Sequence, residues 1–179
     1  MLYSNVFEGL TRFMADGSVV PGLAESWEIS DDGLTYTFTL RSGVTFHDGT
    51  TMDAEDVKFS LDRILAEDSA NAQKALYAAI YAVEVIDPLT VQLTLSEPNG
   101  NMLFNLAWGA AVIVAPQSIH GIKPQPICTG AFKLASCVPS DPPQLSRNDA
   151  YCGTPPPLAP STSQLLPTPP PALPPVTPP

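Results

Sequence analysis

Two histidines, three clustered acids and three cysteines are the side chains of this sequence best suited to chemistry. His47 is followed by Asp48, and a hydrolase would use such a pair as a general base with its orienting carboxylate. No Gly-x-Ser-x-Gly elbow and no glycine-rich phosphate loop accompanies them. His120 lies far away along the chain, and neither histidine belongs to a cluster with metal-ligand spacing. Asp53, Glu55 and Asp56 could act as a carboxylate site. They stand, however, at the head of an apolar series, Val57, Leu61, Ile64 and Leu65, where acids cap a helix and pair with its dipole. Cys128, Cys137 and Cys152 match no zinc or redox spacing, and an odd number leaves at least one thiol unpaired. The residues therefore predict no catalytic group, no metal site and no cofactor. Binding stays open, because a pocket needs only shape and a few placed polar groups.

The elements that would position such groups follow from periodicity. Ala24 to Ile29 and Thr35 to Leu40 alternate as strands, with Trp27 and Ile29 joining Tyr36, Phe38 and Leu40 on one apolar face. Ser30-Asp31-Asp32-Gly33 closes that hairpin, since the carboxylates accept local amides and Gly33 tolerates a positive φ. Asp53 begins a helix, on whose outer side Lys58 and Asp62 stand in the weaker order for an ion pair. A helix is predicted over Leu2 to Phe13, with Val6 and Leu10 turned inward. A second is predicted over Ala72 to Val83, carrying Leu76, Ala79, Ile80 and Val83 on one face. Val83 to Ile86 and Val91 to Leu95 read as another hairpin, turned at Asp87-Pro88-Leu89-Thr90. Asn101 to Trp108 reads as a short helix and Ala111 to Ala115 as a buried strand. The class is α+β, with antiparallel hairpins covered by helices.

Several blocks in order resemble a known family. Phe7-Glu8-Gly9-Leu10, Asp16-Gly17 and Pro21-Gly22-Leu23-Ala24-Glu25-Ser26-Trp27 come first. Asp31-Asp32-Gly33-Leu34-Thr35-Tyr36-Thr37-Phe38, Leu40-Arg41-Ser42-Gly43-Val44, Phe46-His47-Asp48-Gly49 and Ala54-Glu55-Asp56-Val57 follow. Together they resemble the family 5 extracellular solute-binding proteins, the peptide, dipeptide and nickel receptors of bacterial ABC importers. The resemblance runs over residues 1-153 as a partial N-terminal lobe, and its best part covers 2-115. Thr129 to Leu134 and Leu145 to Tyr151 resemble two later family blocks. Cys128 there replaces a glycine, and Cys137 and Cys152 replace tryptophans.

The resemblance implies part of one lobe of a two-lobed, periplasmic-binding-protein-like (type II) fold. It also implies a chain shorter than its relatives, with the family's export signal expected before Leu2. The ligand would be a peptide or chelated nickel, held between lobes that close and dock on a permease with ATPase subunits. In this chain Trp108, Gly109 and Ala110 match a segment near the cleft, and Gln73 does so more loosely. A monomer in the periplasm, or anchored outside the cell membrane, is the implied state.

Composition bounds the alternatives. The formal charge is -10, from 18 acidic and 8 basic residues. No Lys/Arg cluster occurs, which argues against nucleic acid and anionic membrane surfaces as partners. No apolar run approaches the ~18 residues that span a bilayer. Twelve prolines fall among the 27 residues from Gly153 to Pro179, and no charge follows Asp149. Residues 154-179 are therefore expected to be a disordered, proline-rich tail. Spacings such as Pro167 to Pro170 raise a rival function, a small interaction protein presenting that tail to a partner domain.

Overall fold

Alternation of apolar and polar side chains builds a four-stranded sheet in the computed structural model, which describes residues 6–120, 127–136 and 144–153. A short antiparallel ribbon comes first, β1 (Thr11–Phe13) with β2 (Val19–Pro21). The main sheet contains β3 (Ala24–Ile29), β4 (Thr35–Leu40), β5 (Ile80–Asp87) and β6 (Thr90–Leu95). It is antiparallel throughout, in the order β3-β4-β6-β5. One 12-residue helix, α1 (Ala54–Leu65), packs on β5 and β6. A shorter one, α2 (Met102–Leu106), packs on β1. A last hairpin pairs β7 (Phe132–Ser136) with β8 (Gln144–Arg147).

The two central strands carry the core. Tyr36 faces Leu93 and Phe38 faces Val91 across β4 and β6, and all four side chains are buried. Their neighbours Thr37 and Gln92 point the other way, where Gln92 Nε2 donates to Thr37 Oγ1 at 3.2 Å. Removing one buried aromatic ring typically costs ~3 to 5 kcal/mol, a large share of the ~5 to 15 kcal/mol that holds a domain folded. The hairpin turn forms as its residues predict: Asp32 accepts the Leu34 amide at 3.0 Å, and Gly33 sits at φ 69°. Trp27 reaches the core layer, its ring 6.4 Å from that of Phe38. Ile29 does not, being 45% exposed. It lies on the edge strand, on the side of the sheet away from α1.

Capping fixes where α1 begins. Asp53 Oδ1 accepts the amides of Glu55 at 2.9 Å and Asp56 at 3.3 Å, while Asp56 Oδ2 accepts the Asp53 amide at 3.0 Å. This reciprocal box satisfies amides that the helix itself leaves open. Val57, Leu61 and Ile64 are buried as expected, together with Ala54 and Ser60, while Leu65 is only partly covered. Lys58 pairs with Asp62 at 2.7 Å and also donates to the Val83 carbonyl at 2.8 Å, so it ties the helix to β5.

Three expected elements take another form. Residues Thr11–Phe13 are a strand, not the end of a helix, although Val6 and Leu10 do turn inward. Gly9 and Gly22 explain this, because a Cβ on Gly9 would meet the Leu106 carbonyl at 2.6 Å and one on Gly22 the Gly9 carbonyl at 2.7 Å. That close approach lets the Gly22 and Ala24 amides donate to the Leu10 carbonyl at 3.1 and 3.0 Å, so the backbone bonds across to the next segment and not along a helix. Of the helix expected over Ala72 to Val83, only a 3-10 turn, Lys74–Tyr77, exists. From Ile80 the chain pairs with β6, and Leu76 is 40% exposed while Tyr77 is fully buried, its hydroxyl donating to the Asn105 carbonyl at 2.9 Å. Sheet pairing of β-branched residues overrides the helical period. Ala111 to Ala115 is buried but joins no ladder: Ile113 donates to the Glu8 carbonyl at 2.9 Å and Val114 to Ser60 Oγ at 3.0 Å.

His47 belongs to the joint that holds the last hairpin. Its amide donates to the Cys128 carbonyl at 2.8 Å, its Nε2 lies 3.0 Å from the Gly130 carbonyl, and Lys133 Nζ donates to the His47 carbonyl at 3.1 Å. Cys128 is buried against Val6 and Val114, and burial pushes its thiol up to about 12. Cys128 and Cys152 are free thiols, whereas Cys137 and residues 154–179 lie outside the described residues. Tyr151 donates to Glu8 Oε1 at 2.9 Å, joining the two ends of the described chain.

Two outcomes follow from these contacts. Asp53→Ala removes the cap and is expected to cost about 1 kcal/mol, read as a lower urea midpoint at unchanged slope. Burial raises the Glu8 pKa, against the lowering influence of Tyr151, Thr129, Arg12 and Arg41. A raised folded pKa gives stability that is complete below the unfolded value and is lost as pH rises through the folded one. Glu8→Gln, which keeps an acceptor for Tyr151, should therefore match the parent near pH 3 and exceed its stability at pH 7. Urea titrations at both pH values check this, and a parent that gains over the variant at pH 7 would contradict it.

Candidate functional site

Where α1 ends, the chain makes one wall of a cleft. Ala66 leaves the helix at ψ 144°, and residues 66 to 73 then run as a loop before the 3-10 turn. On the other side, α2 ends and Trp108, Gly109 and Ala110 form a second loop, closed by the Ala111 amide donating to the Trp108 carbonyl at 3.0 Å. Between them lies an open cleft of about 750 Å³, within the range of small-molecule sites. All four residues singled out in the sequence, Gln73, Trp108, Gly109 and Ala110, line it.

Asn71 builds this cleft. Its Nδ2 donates to the Ala110 carbonyl at 3.0 Å, and its Oδ1 accepts the Gln73 amide at 2.9 Å. One side chain thus fixes the separation of the two loops and the turn that carries Gln73. The wall is anchored below by Lys74, whose Nζ donates to the Ala66 carbonyl at 2.5 Å. Asn105 holds the other end, its Nδ2 donating to the Leu76 carbonyl at 3.0 Å.

Trp108 is set by stacking. Its ring lies 5.7 Å from Phe13 at 28° and 5.7 Å from Phe104 at 43°, with Phe13 and Phe104 themselves 5.6 Å apart. The three rings are each more than a third exposed, so Trp108 is a surface wall of the cleft and not a core residue. Such stacked contacts hold the indole in one orientation.

The spacing of sequence motifs missed Asn71, Arg63 and Asp68, all of which line the cleft. An Asx turn two residues ahead of Gln73 was the available signal for Asn71. Arg63 and Asp68 carry none, since a charge near a helix end is ordinary. His47 and Asp48 do not line the cleft. Asp53 and Asp56 are occupied in the capping box, and Glu55 opens the same helix. Among the described residues no three metal-ligating side chains gather. None of their helices is long and apolar enough to cross a membrane.

Comparison with known proteins adds to this geometry. The family described as Bacterial extracellular solute-binding proteins, family 5 Middle, matches residues 18–165. The glutathione-binding protein GsiB of Salmonella paratyphi A is 40% identical over 132 residues, covering 72% of this chain and 26% of that protein. The chain thus spans about a quarter of the length of the curated relatives it matches. Among solved structures, the binding protein AgaA from A. tumefaciens in complex with agropinic acid superposes with a TM-score of 0.81 at 34% identity. That match covers 86% of this chain and 32% of AgaA. NikZ from Campylobacter jejuni in complex with Ni(L-His) gives a TM-score of 0.77 at 30% identity, covering 83% of this chain and 31% of NikZ.

Asn71→Ala tests the architecture of the cleft. Loss of both hydrogen bonds is expected to cost ~1 to 2 kcal/mol in urea unfolding and to speed amide exchange at Gln73. Unchanged exchange there would show that Asn71 does not hold the wall.

Proposed function

The chain belongs to the bacterial extracellular solute-binding proteins of family 5, and from that premise we propose that it forms one wall of the ligand cleft in the substrate-binding subunit of an ABC importer. The ligand class is a peptide or a small chelated metal, and Trp108, Gly109, Ala110 and Gln73 are its contacts in this chain. One observation carries the reading: residues far apart in sequence meet around a single cleft of small-molecule size. Its chemistry suits binding without turnover. The wall offers an indole face, loop backbone and the side-chain amide of Gln73, which has no hydrogen-bonding partner among the described residues. Relatives that bind glutathione and Ni(L-His) support the ligand class.

The mechanism is a population shift. A ligand that touches two walls at once favours the closed arrangement by its differential contact, and the closed form is what the permease and its ATPase subunits receive. The subunit acts outside the cytoplasmic membrane, as a monomer and without a cofactor.

One wall alone binds weakly. If a micromolar complex is worth ~8 kcal/mol and the contacts divide evenly, the 179-residue chain holds its ligand at ~1 mM or worse. Tryptophan fluorescence reads this directly, because the chain has 2 tryptophans and only Trp108 lines the cleft. Glutathione, a dipeptide or nickel-histidine is expected to change the emission in the millimolar range, in the parent and in Trp27→Phe but not in Trp108→Phe. No response to any of the three would sink the cleft reading, and saturable micromolar binding in calorimetry would contradict the division of contacts.

A further inference from the structure

The last hairpin is fastened to the rest of the chain at one joint. Among the described residues β7 and β8 pair only with each other, and a two-stranded hairpin alone is marginal in water. The Gly130 amide donates to the Val6 carbonyl at 3.1 Å, while the Gly130 carbonyl accepts Asn148 Nδ2 and lies against His47 Nε2, each at 3.0 Å. Glu8 ties the same pieces together. Its backbone carbonyl accepts the Ile113 amide at 2.9 Å, and its Oε1 accepts the hydroxyl of Tyr151, just beyond β8, at 2.9 Å. Its other oxygen, Oε2, is buried and has no hydrogen-bonding partner among the described residues. The same is true of Thr129 Oγ1, on a residue 1% exposed.

We propose that Glu8 is a pH-sensitive latch: its neutral carboxyl closes the joint, and its ionised carboxylate releases the β7 and β8 hairpin from the Val6 segment. Protonated, the group keeps Oε1 as acceptor for Tyr151 and presents Oε2–H to the neighbouring Thr129 hydroxyl. Ionised, it holds a charge at an oxygen that water does not reach, and opening the joint hydrates that charge. The other titratable groups facing it are Arg12, Arg41, Tyr151 and Cys152. Neither arginine neutralises it by contact: Arg12 is exposed, Arg41 Nε is bonded to the Gly22 carbonyl at 2.7 Å, and the ion pairs among the described residues lie elsewhere. On the hairpin itself Lys133 is bonded to the His47 carbonyl and Arg147 pairs with Asp149. Burial, the largest influence on Glu8, raises its pKa. The closed joint is therefore fully favoured below the ordinary carboxylate range and is lost as pH rises through the folded value. The latch uses no group of the cleft and stands or falls apart from the binding reading.

The experiment is amide hydrogen exchange in the 179-residue chain, with each rate divided by the unstructured rate at the same pH. Gly130 and Asn148 report on the joint, since their amides donate to the Val6 carbonyl and, at 2.8 Å, to the Ala131 carbonyl. Leu40 and Leu95 report on the sheet, bonded to the Leu89 and Leu34 carbonyls at 2.7 Å. Between about pH 5 and pH 8 protection of the joint amides is expected to fall, by up to about tenfold per pH unit, while that of the sheet amides holds. Glu8→Gln should flatten the joint profile. His47→Gln, which alters the other ionisable side chain at Gly130, should lower joint protection at every pH and leave the fall in place. A fall that survives Glu8→Gln, or that disappears with His47→Gln, overturns the latch. So does a flat parent profile, or one in which all four amides fall together, and the parent decides these two even where a variant fails to fold.

Discussion

Phe38 and Val91 face each other across the two central strands with no exposed surface, and the apolar layer they anchor constrains every other element. A four-stranded antiparallel sheet with one covered face has to bury its alternate side chains under something, and here the cover is α1 with its Val57, Leu61 and Ile64 stripe. The length of that helix is set at its start by the Asp53 and Asp56 box and at its end by Ala66, which leaves helical geometry. Both cleft loops inherit their places from this arrangement. The first loop has to cross from the end of α1 to the start of β5, and Tyr77, buried and bonded to the Asn105 carbonyl, pins it against α2.

That same bond explains why the two cleft segments meet although they lie far apart in sequence. The 3-10 turn and Asn105 are bonded in both directions: the Tyr77 hydroxyl donates to the Asn105 carbonyl, and Asn105 Nδ2 donates to the carbonyl of Leu76, the residue before, at 3.0 Å. Burial pushes the Tyr77 hydroxyl up to about 12, so it remains a donor at any physiological pH. With α2 fixed in this way, Trp108 leaves its end at the cleft rim, where Phe13 and Phe104 hold the ring. The ribbon that supplies Phe13 thereby shapes the rim without lining the cleft itself.

Much of this was legible in the residues, for identifiable reasons. The hairpins of Thr35 to Leu40 and Val91 to Leu95 alternate cleanly, because each strand is buried on one face only. Asp53 announced α1 because a cap is a local interaction. Ala72 to Val83 misled because its apolar residues fit a helical period while Ile80 to Val85 found a strand partner that no local pattern reveals. Ile29 misled because alternation says which residues share a face but not how far the covering helix reaches. The candidate residues Gln73, Trp108, Gly109 and Ala110 came from resemblance to a family. Asn71, which spaces them, shows only when both loops are seen together.

Arg63 and Asp68 line the cleft as exposed charges in contact with solvent. At the surface each charge contributes ~1 kcal/mol or less, because water competes for it and salt screens it. Excluding water from the same geometry strengthens the same pairing, since the interaction grows as the local dielectric falls.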